Sequence, residues 1–294
     1  MRLEFINRVK EKDILGKSIL TSEGQVLLRA GVELNSSFIS KLKELGVFYL
    51  YVEDERLEDV QVEDEKLTQL KQFTIKSMSN ILANIHDCNG KKLKESLIDV
   101  EDMISYIIEL GDVNKSLYDI QTYDNYTFIH SIDVCIMASF LGISAGYNNW
   151  DLKEIGVGAA LHDVGKTKVP TAILNKRDRL TEEEFYEIKK HPIYGSQLLK
   201  KNVSISNNII KIVEQHHERV DGKGYPYGLS SKQIVPSAKL VCICDVYDAV
   251  SSDRCYRKKF RPNEAYELIL SGSGSSFDQR MVSYFKNTFA IYPL

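Results

Sequence analysis

The chain has no Cys-x-x-Cys pair: its five cysteines, Cys88, Cys135, Cys242, Cys244 and Cys255, form an odd and scattered set. That argues against a disulfide framework and a thiolate zinc site, and fits a reducing cytoplasm. It also lacks a basic excess, with 38 Lys and Arg against 41 Asp and Glu and a formal net charge of −3. Broad DNA or RNA binding needs clustered cations to neutralise phosphates, so any phosphate ligand is expected to be small and locally bound. Long apolar runs are missing too. No stretch approaches the ~20 apolar residues of a membrane span, and the start MRLEFINRVKEKD has no apolar core before a cleavage site. A soluble, cytoplasmic protein is expected. What is present suffices for a packed core: 294 residues, 43% hydrophobic and 27% charged, suit one large domain and a smaller one.

Residues 1–54 read as a small α+β module. Apolar segments at 14–20 and 25–28 flank Ser22-Glu23-Gly24, which predicts a hairpin. A short helix follows, capped by Asn35 or Ser36, with Phe38, Ile39, Leu42 and Leu45 on one face and Gly46 as its stop before the strand-like 47–52. Residues 55–117 read as a helical linker after the acidic stretch 53–65. Leu67, Leu70, Thr74, Met78, Ile81 and Ile85 recur at helical spacing, as do Leu93, Leu97, Val100, Ile104 and Ile107, with Asn89-Gly90 as a breaker between the two sets. This segment is either a dimerisation or relay element or an amphipathic hairpin packed on the next domain. From 118 to 294 the pattern is helical, without a convincing strand series, so a helical bundle with a polar site between facing helices is expected.

Five of the six histidines fall between His130 and His217. The apolar helix 152–164 runs into His162-Asp163, and 209–215 runs into His216-His217. Ionisable pairs at the ends of buried-looking helices are costly unless something binds them. Asp245 follows the apolar run 238–244 and poses the same problem. A lone histidine is more often a hydrogen-bonded core or surface residue than a ligand, but His130, His162, Asp163, His191, His216, His217 and Asp245 together defeat that explanation. Imidazole and carboxylate donors without thiolate suit iron, manganese, zinc or a similar divalent ion, and seven donors are too many for one ion that must also bind water and substrate. Two ions ~3.5–4 Å apart would generate hydroxide from a bridging water and clamp phosphoryl oxygens, the chemistry of phosphoester hydrolysis. Lys166, three residues after Asp163, is placed to meet a phosphate, where the ordinary alternative is a helix-end lysine. Arg254 and Arg257 can grip a second phosphate bidentately, although DRCYR alone would be unremarkable surface sequence.

The segment His217-Glu218-Arg219-Val220-Asp221-Gly222-Lys223-Gly224-Tyr225-Pro226 resembles the hallmark of the HD-GYP subfamily of HD phosphohydrolases. The resemblance extends through HDVGK at 162–166, KRDRLTEEE at 176–184, KKHPIYGSQLL at 189–199, DVYDAVSSDRCYR at 245–257 and FDQRMVSYF at 277–285. It implies a mainly α fold, with an all-helical HD-type bundle behind the small N-terminal α+β module and helical linker. It further implies a phosphodiesterase that linearises cyclic-di-GMP to pGpG and cleaves onward to GMP in some members. One metal would take His130, His162, Asp163 and Asp245, and the other Asp163, His191, His216 and His217. Iron or manganese is favoured by the resemblance, with zinc, nickel or magnesium as the other options. Lys166 would contact the scissile phosphate, and Arg254 and Arg257 the substrate's phosphates. The loop with Asp221, Gly222, Gly224, Tyr225 and Pro226 would shape the pocket, the plain alternative being a turn whose glycines supply positive φ.

Two positions depart from the pattern. Some members bind a third metal through a glutamate four residues before the first histidine; Tyr126 stands there, so a binuclear site is expected. Cys255 stands where proline is usual. The competing expectations are a hydrolase of another cyclic or linear nucleotide, such as a mixed-base cyclic dinucleotide, and a non-catalytic protein that binds cyclic-di-GMP. Candidate protein partners are a second copy through the helical linker and a GGDEF-type or other signalling protein.

Overall fold

The computed structural model of the chain describes residues 2–20, 26–45, 47, 49–54, 64–85, 90–111, 115–116, 127–174, 176, 178–201, 205–251 and 260–290. In the N-terminal part, β1 (Arg2–Phe5) pairs antiparallel with β4 (Tyr49–Val52), in a register that sets Arg2 opposite Val52. The expected hairpin forms as β2 (Ile19–Leu20) against β3 (Val26–Leu28); its expected turn at 22–24 lies outside the described residues. Helix α1 (Ser36–Glu44) is capped by Asn35, whose side chain accepts from the Phe38 amide at 2.9 Å. Its inward stripe is narrower than expected: Ile39 and Leu42 are buried, while Phe38 is exposed. Gly46, the expected stop, also lies outside the described residues. Ile6, Val9, Leu15, Ile19, Leu34, Ile39, Leu42, Val47, Leu50 and Val52 close a small core of their own.

Three helices follow: α2 (Glu65–Asn84), opened by Asp64 accepting from the Leu67 amide, α3 (Gly90–Ser96) and α4 (Ile98–Leu110). The second expected linker helix is interrupted at Leu97, yet Leu93, Leu97, Val100, Ile104 and Ile107 all remain buried. The apolar faces of α2 and α4 are spent within the chain. Met78, Ile81, Val100, Met103 and Ile104 belong to one hydrophobic core with residues of the helices that follow. The geometry is therefore that of the packed hairpin.

The remainder is helical: α5 (Thr127–Ser144), α6 (Asn149–Leu161), a 3₁₀ turn (Val164–Lys168), α7 (Thr171–Leu174), α8 (Glu182–Ile188), α9 (His191–Lys200), α10 (Asn207–Gln215), α11 (Pro236–Ser251), α12 (Pro262–Ser271) and α13 (Gln279–Thr288). Several starts have a local cause. Asn148 caps α6, Ser206 caps α10, Asp278 caps α13, and Thr181 with Glu184 forms a capping box on α8. A two-residue parallel pairing of β5 (Lys115–Ser116) with β6 (Phe289–Ala290) ties the last helix back to the start of the bundle.

A buried ion pair joins the packed hairpin to the helix that carries the first site histidine. Lys71 of α2 meets Asp133 of α5 at 2.5 Å, with both side chains under 10% exposed. Removing one member of such a pair leaves a charge in low dielectric without its counterion. Lys71→Met is expected to lower stability by about 3–5 kcal/mol in urea unfolding, and Lys71→Met with Asp133→Leu to recover most of it. A double variant as unstable as the single one would show that the pair is not the cause.

Candidate metal centre

Helix ends deliver most of the donors. His162 is the C-cap of α6 and His216 the C-cap of α10, so each follows an apolar helix whose last carbonyls lack intrahelical donors. The imidazoles use those carbonyls. Nδ1 of His162 donates to Ala159 O at 2.6 Å, that of His216 to Val213 O at 2.9 Å, and that of His191 to Ile188 O, at the end of α8, at 2.8 Å. His130, in the first turn of α5, donates Nδ1–H to Asp248 Oδ2 at 2.6 Å instead. Locking Nδ1 as a donor leaves each Nε2 as a lone pair facing inward.

Those lone pairs converge in two groups. The ligand atoms of His130, His162 and Asp245 all lie within 4.8 Å of one another, and so do those of Asp163, His191, His216 and His217. Asp163 faces both. Its Oδ2 lies 3.4 Å from His162 Nε2 and 3.9 Å from His130 Nε2, while its Oδ1 lies 3.3 Å from His191 Nε2 and 4.0 Å from His216 Nε2. Asp245 also reaches across, with Oδ1 3.1 Å from His130 Nε2 and Oδ2 3.6 Å from His217 Nδ1. Nε2 of His162 and Oδ1 of Asp163 are buried without a hydrogen-bond partner among the described residues. The Nε2 atoms of His191 and His216 stand 3.2 Å apart, two acceptors face to face, an arrangement that only a proton or a cation between them relieves. The residues fit divalent cations.

The electrostatics agree. Burial would raise Asp163, but Lys166 and His162 outweigh it and hold the carboxyl well below its usual range; Asp245 is likewise depressed against burial, by the His130 hydrogen bond and by His217. Burial and neighbouring imidazoles push His216 well down, and burial with His191 takes His217 to about 3. Neutral imidazoles and ionised carboxylates are the forms that bind metals. His130 runs the other way: burial lowers it, but Asp245 and Asp248 prevail and raise it to about 9 in the metal-free protein.

Lys166 lies on the 3₁₀ turn just past Asp163, with Nζ 2.5 Å from Asp163 Oδ2 and partly open to solvent. Tyr225 packs against the second group, its ring 4.6 Å from that of His217 and its amide on His217 O. The loop holding it is built from Glu218, which accepts from the amides of Tyr227 and Leu229, and from Asp221, which accepts from the Lys223 amide and pairs with Arg219 at 2.6 Å. Gly222 does take a positive φ, +76°. Gly224 does not, and its role is space: a Cβ there would lie 2.3 Å from the Arg219 nitrogen. Pro226 follows Tyr225 through a cis peptide bond. Arg254, Arg257, Cys255 and Tyr126 lie outside the described residues.

Two residues with evident parts were not singled out in the sequence. Asp248 orients His130, and its signal was its place one helical turn after Asp245 on α11. Glu218, buried beside the histidine pair, fastens the loop; its marks were its place directly after His216-His217 and within the hallmark segment.

A helical bundle that directs five imidazoles and two shared carboxylates into one buried space defines an HD-type, metal-site protein. Comparison with known proteins agrees: the family described as HD domain matches residues 130–281, and the chain belongs to that family. It is 35% identical over 195 residues to a cyclic di-GMP phosphodiesterase of Pseudomonas aeruginosa, covering 66% of this chain and 47% of that protein. It is 32% identical over 170 residues to a cyclic di-GMP phosphodiesterase of Borreliella burgdorferi, covering 58% and 45%. The chain thus spans about half the length of these curated relatives. Among solved structures it resembles an HDG"Y"P protein from Bdellovibrio bacteriovorus, with a TM-score of 0.62 at 17% identity over 97% of this chain and 98% of that one, a likeness of fold. The resemblance to HD-GYP proteins is borne out.

His130 fixes a prediction. In the metal-free fold its proton is held past the unfolded value near 6.5 and is lost as pH rises through about 9. Metal uptake near pH 7.5 must displace it, so affinity is expected to rise with pH up to about 9 and calorimetry in buffers of different ionisation enthalpy to show proton release. Asp248→Asn keeps an acceptor but removes the charge, and is expected to cut metal affinity by about 10–100-fold while narrowing that pH dependence. Unchanged affinity in Asp248→Asn would remove Asp248 from the centre.

Proposed function

We propose that this protein is a metal-dependent phosphodiesterase that hydrolyses cyclic-di-GMP to pGpG, and on to GMP where the linear product rebinds. The observation that carries the reading is the Asp163 carboxylate, whose two oxygens face different donor groups while Lys166 contacts one of them. We assign His130, His162, Asp163 and Asp245 to one cation and Asp163, His191, His216 and His217 to the other. Two bound divalent ions, iron or manganese by resemblance, would supply Lewis acidity that activates water and neutralises the phosphate.

The chain's own groups do the rest. The three Nδ1–carbonyl bonds and the His130–Asp248 bond fix four of the five imidazoles, so little side-chain search precedes ligation. Lys166 is partly exposed beside Asp163, where its ammonium meets a phosphate oxygen and stabilises the charge that grows as the P–O3′ bond breaks. Water adds its oxygen to phosphorus, and the leaving 3′ oxygen gains a proton. Tyr225 backs His217, and the Glu218-anchored loop keeps it there. Arg254 and Arg257 are assigned to the substrate's phosphates on the strength of their position in the DRCYR segment. We place the N-terminal module, residues 1–54, in a regulatory role, with the protein acting in the cytoplasm, where cyclic-di-GMP signalling proteins of the GGDEF type would be its natural partners.

The test is turnover by anaerobically purified protein reconstituted with iron or manganese, with metal content and nucleotide products read on one sample. pGpG with about two metals per chain is expected, Asp163→Ala should abolish it, and Lys166→Met should lower kcat by about 10²–10³-fold with metal content intact. A fully metallated protein that binds cyclic-di-GMP without cleaving it would sink the enzyme reading in favour of a sensor. One that cleaves only other cyclic dinucleotides would sink the substrate.

A further inference from the structure

Lysines near the junction of α8 and α9 have different fates. Lys190 is held by Glu187 at 2.6 Å and Lys176 by Glu184 at 2.6 Å. Lys189 lies between Lys190 and the end of α8, half-buried, and among the described residues no carboxylate is within ion-pair distance of it. Two rings hold it instead: its Nζ lies 4.5 Å from the centroid of Phe185 and 5.6 Å from that of Tyr225. The Phe185 contact alone is an ordinary pair four residues apart on a helical surface. The Tyr225 contact is not, because that ring comes from the distant loop and packs 4.6 Å from His217 of the metal centre. The ammonium therefore bridges a solvent-facing ring and a ring of the site itself.

A cation held by ring faces is positioned without spending its N–H donors on a carboxylate. Phe185 is 48% exposed, on a helix whose sequence EEEFYEI otherwise offers mostly acids to solvent. An exposed ring with a donor-rich cation over one face, next to a phosphate-cleaving centre, matches a nucleobase: the exposed part of the ring takes the flat base and the ammonium takes acceptors on its rim. Guanine presents two such acceptors together, O6 and N7, whereas adenine puts its N6 amino donor where O6 would be. We infer that Phe185, Lys189 and Tyr225 form a guanine-selective base subsite at the mouth of the metal centre. Phe185 stacks on the base, Lys189 donates to O6 and N7, and Tyr225 holds the ammonium in place from the metal side. The subsite rests on the phosphodiesterase reading and names what selects its substrate.

The test uses the metal-loaded full chain, wild type against Lys189→Met and Phe185→Ala. kcat/KM is measured for cyclic-di-GMP, mixed cyclic GMP–AMP and cyclic-di-AMP, with an inhibition constant where turnover is too slow. Lys189→Met is expected to lower the preference for cyclic-di-GMP over cyclic-di-AMP by about tenfold or more, mainly through KM. Phe185→Ala is expected to weaken all three by about tenfold and leave the preference in place, since every base has a face to stack. Equal losses on the guanine and adenine substrates in Lys189→Met would make the ammonium a phosphate contact and overturn the subsite. So would unchanged kinetics in both variants, which would mark an ordinary surface pair. Wild-type cleavage of bis(p-nitrophenyl) phosphate, which has no base, reports the loaded centre separately. If it proceeds while no cyclic dinucleotide is bound or cleaved, the cyclic-di-GMP reading itself has failed, and the subsite with it.

Discussion

A single buried carboxylate sets the problem that the bundle solves. Asp163 lies just beyond an apolar helix end with about 5% of its side chain exposed, and its charge is kept only because Lys166 and the surrounding imidazoles outweigh the cost of burial. Neutralising that carboxylate by protonation would leave the inward Nε2 atoms without a shared anion. Four helices or helix ends, from α5 to α10, are positioned so that their donors reach its two oxygens or its neighbour Asp245 on α11. A buried charge of this kind is weak evidence for stability and strong evidence for a bound partner.

Much of the centre was legible because its residues violate hydrophobic patterning. His162-Asp163 and His216-His217 end apolar segments where packing alone would place apolar side chains, and all seven expected donors do meet in space. Asp248 was less legible because it bears on the site through His130, and an aspartate one turn along a helix looks like any solvated acid until its burial is known. Gly224 was ambiguous for a related reason: a glycine demanded by close backbone approach and one demanded by positive φ look alike in sequence. The Phe185–Lys189–Tyr225 arrangement joins residues far apart along the chain, so no local period could announce it.

In the fold, helix existence followed from spacing, and the faces of α2 and α4 matched the expected apolar residues closely. What those faces pack against could not be read from periodicity, since an amphipathic stripe serves a partner chain or its own domain equally well. The Lys71–Asp133 pair answers in favour of the chain itself, and it does so one turn from His130. The second helix broke at Leu97 without losing a buried position, because an interruption in the αR region changes direction only slightly and keeps the stripe facing inward.

The carbonyl ends of α6 and α10 both point toward the donors, since His162 and His216 are their C-caps. Helix C-termini carry partial negative charge, and here they add to Asp163, Asp245 and Asp248 against the positive charges of Lys166 and His130. Among the described residues these carboxylates outnumber the two positive groups, so this part of the cup favours cations over anions. A phosphodiester is itself an anion, so on the proposed function the scaffold would impose an order of assembly: the cations would arrive first and invert the local field before a nucleotide settled.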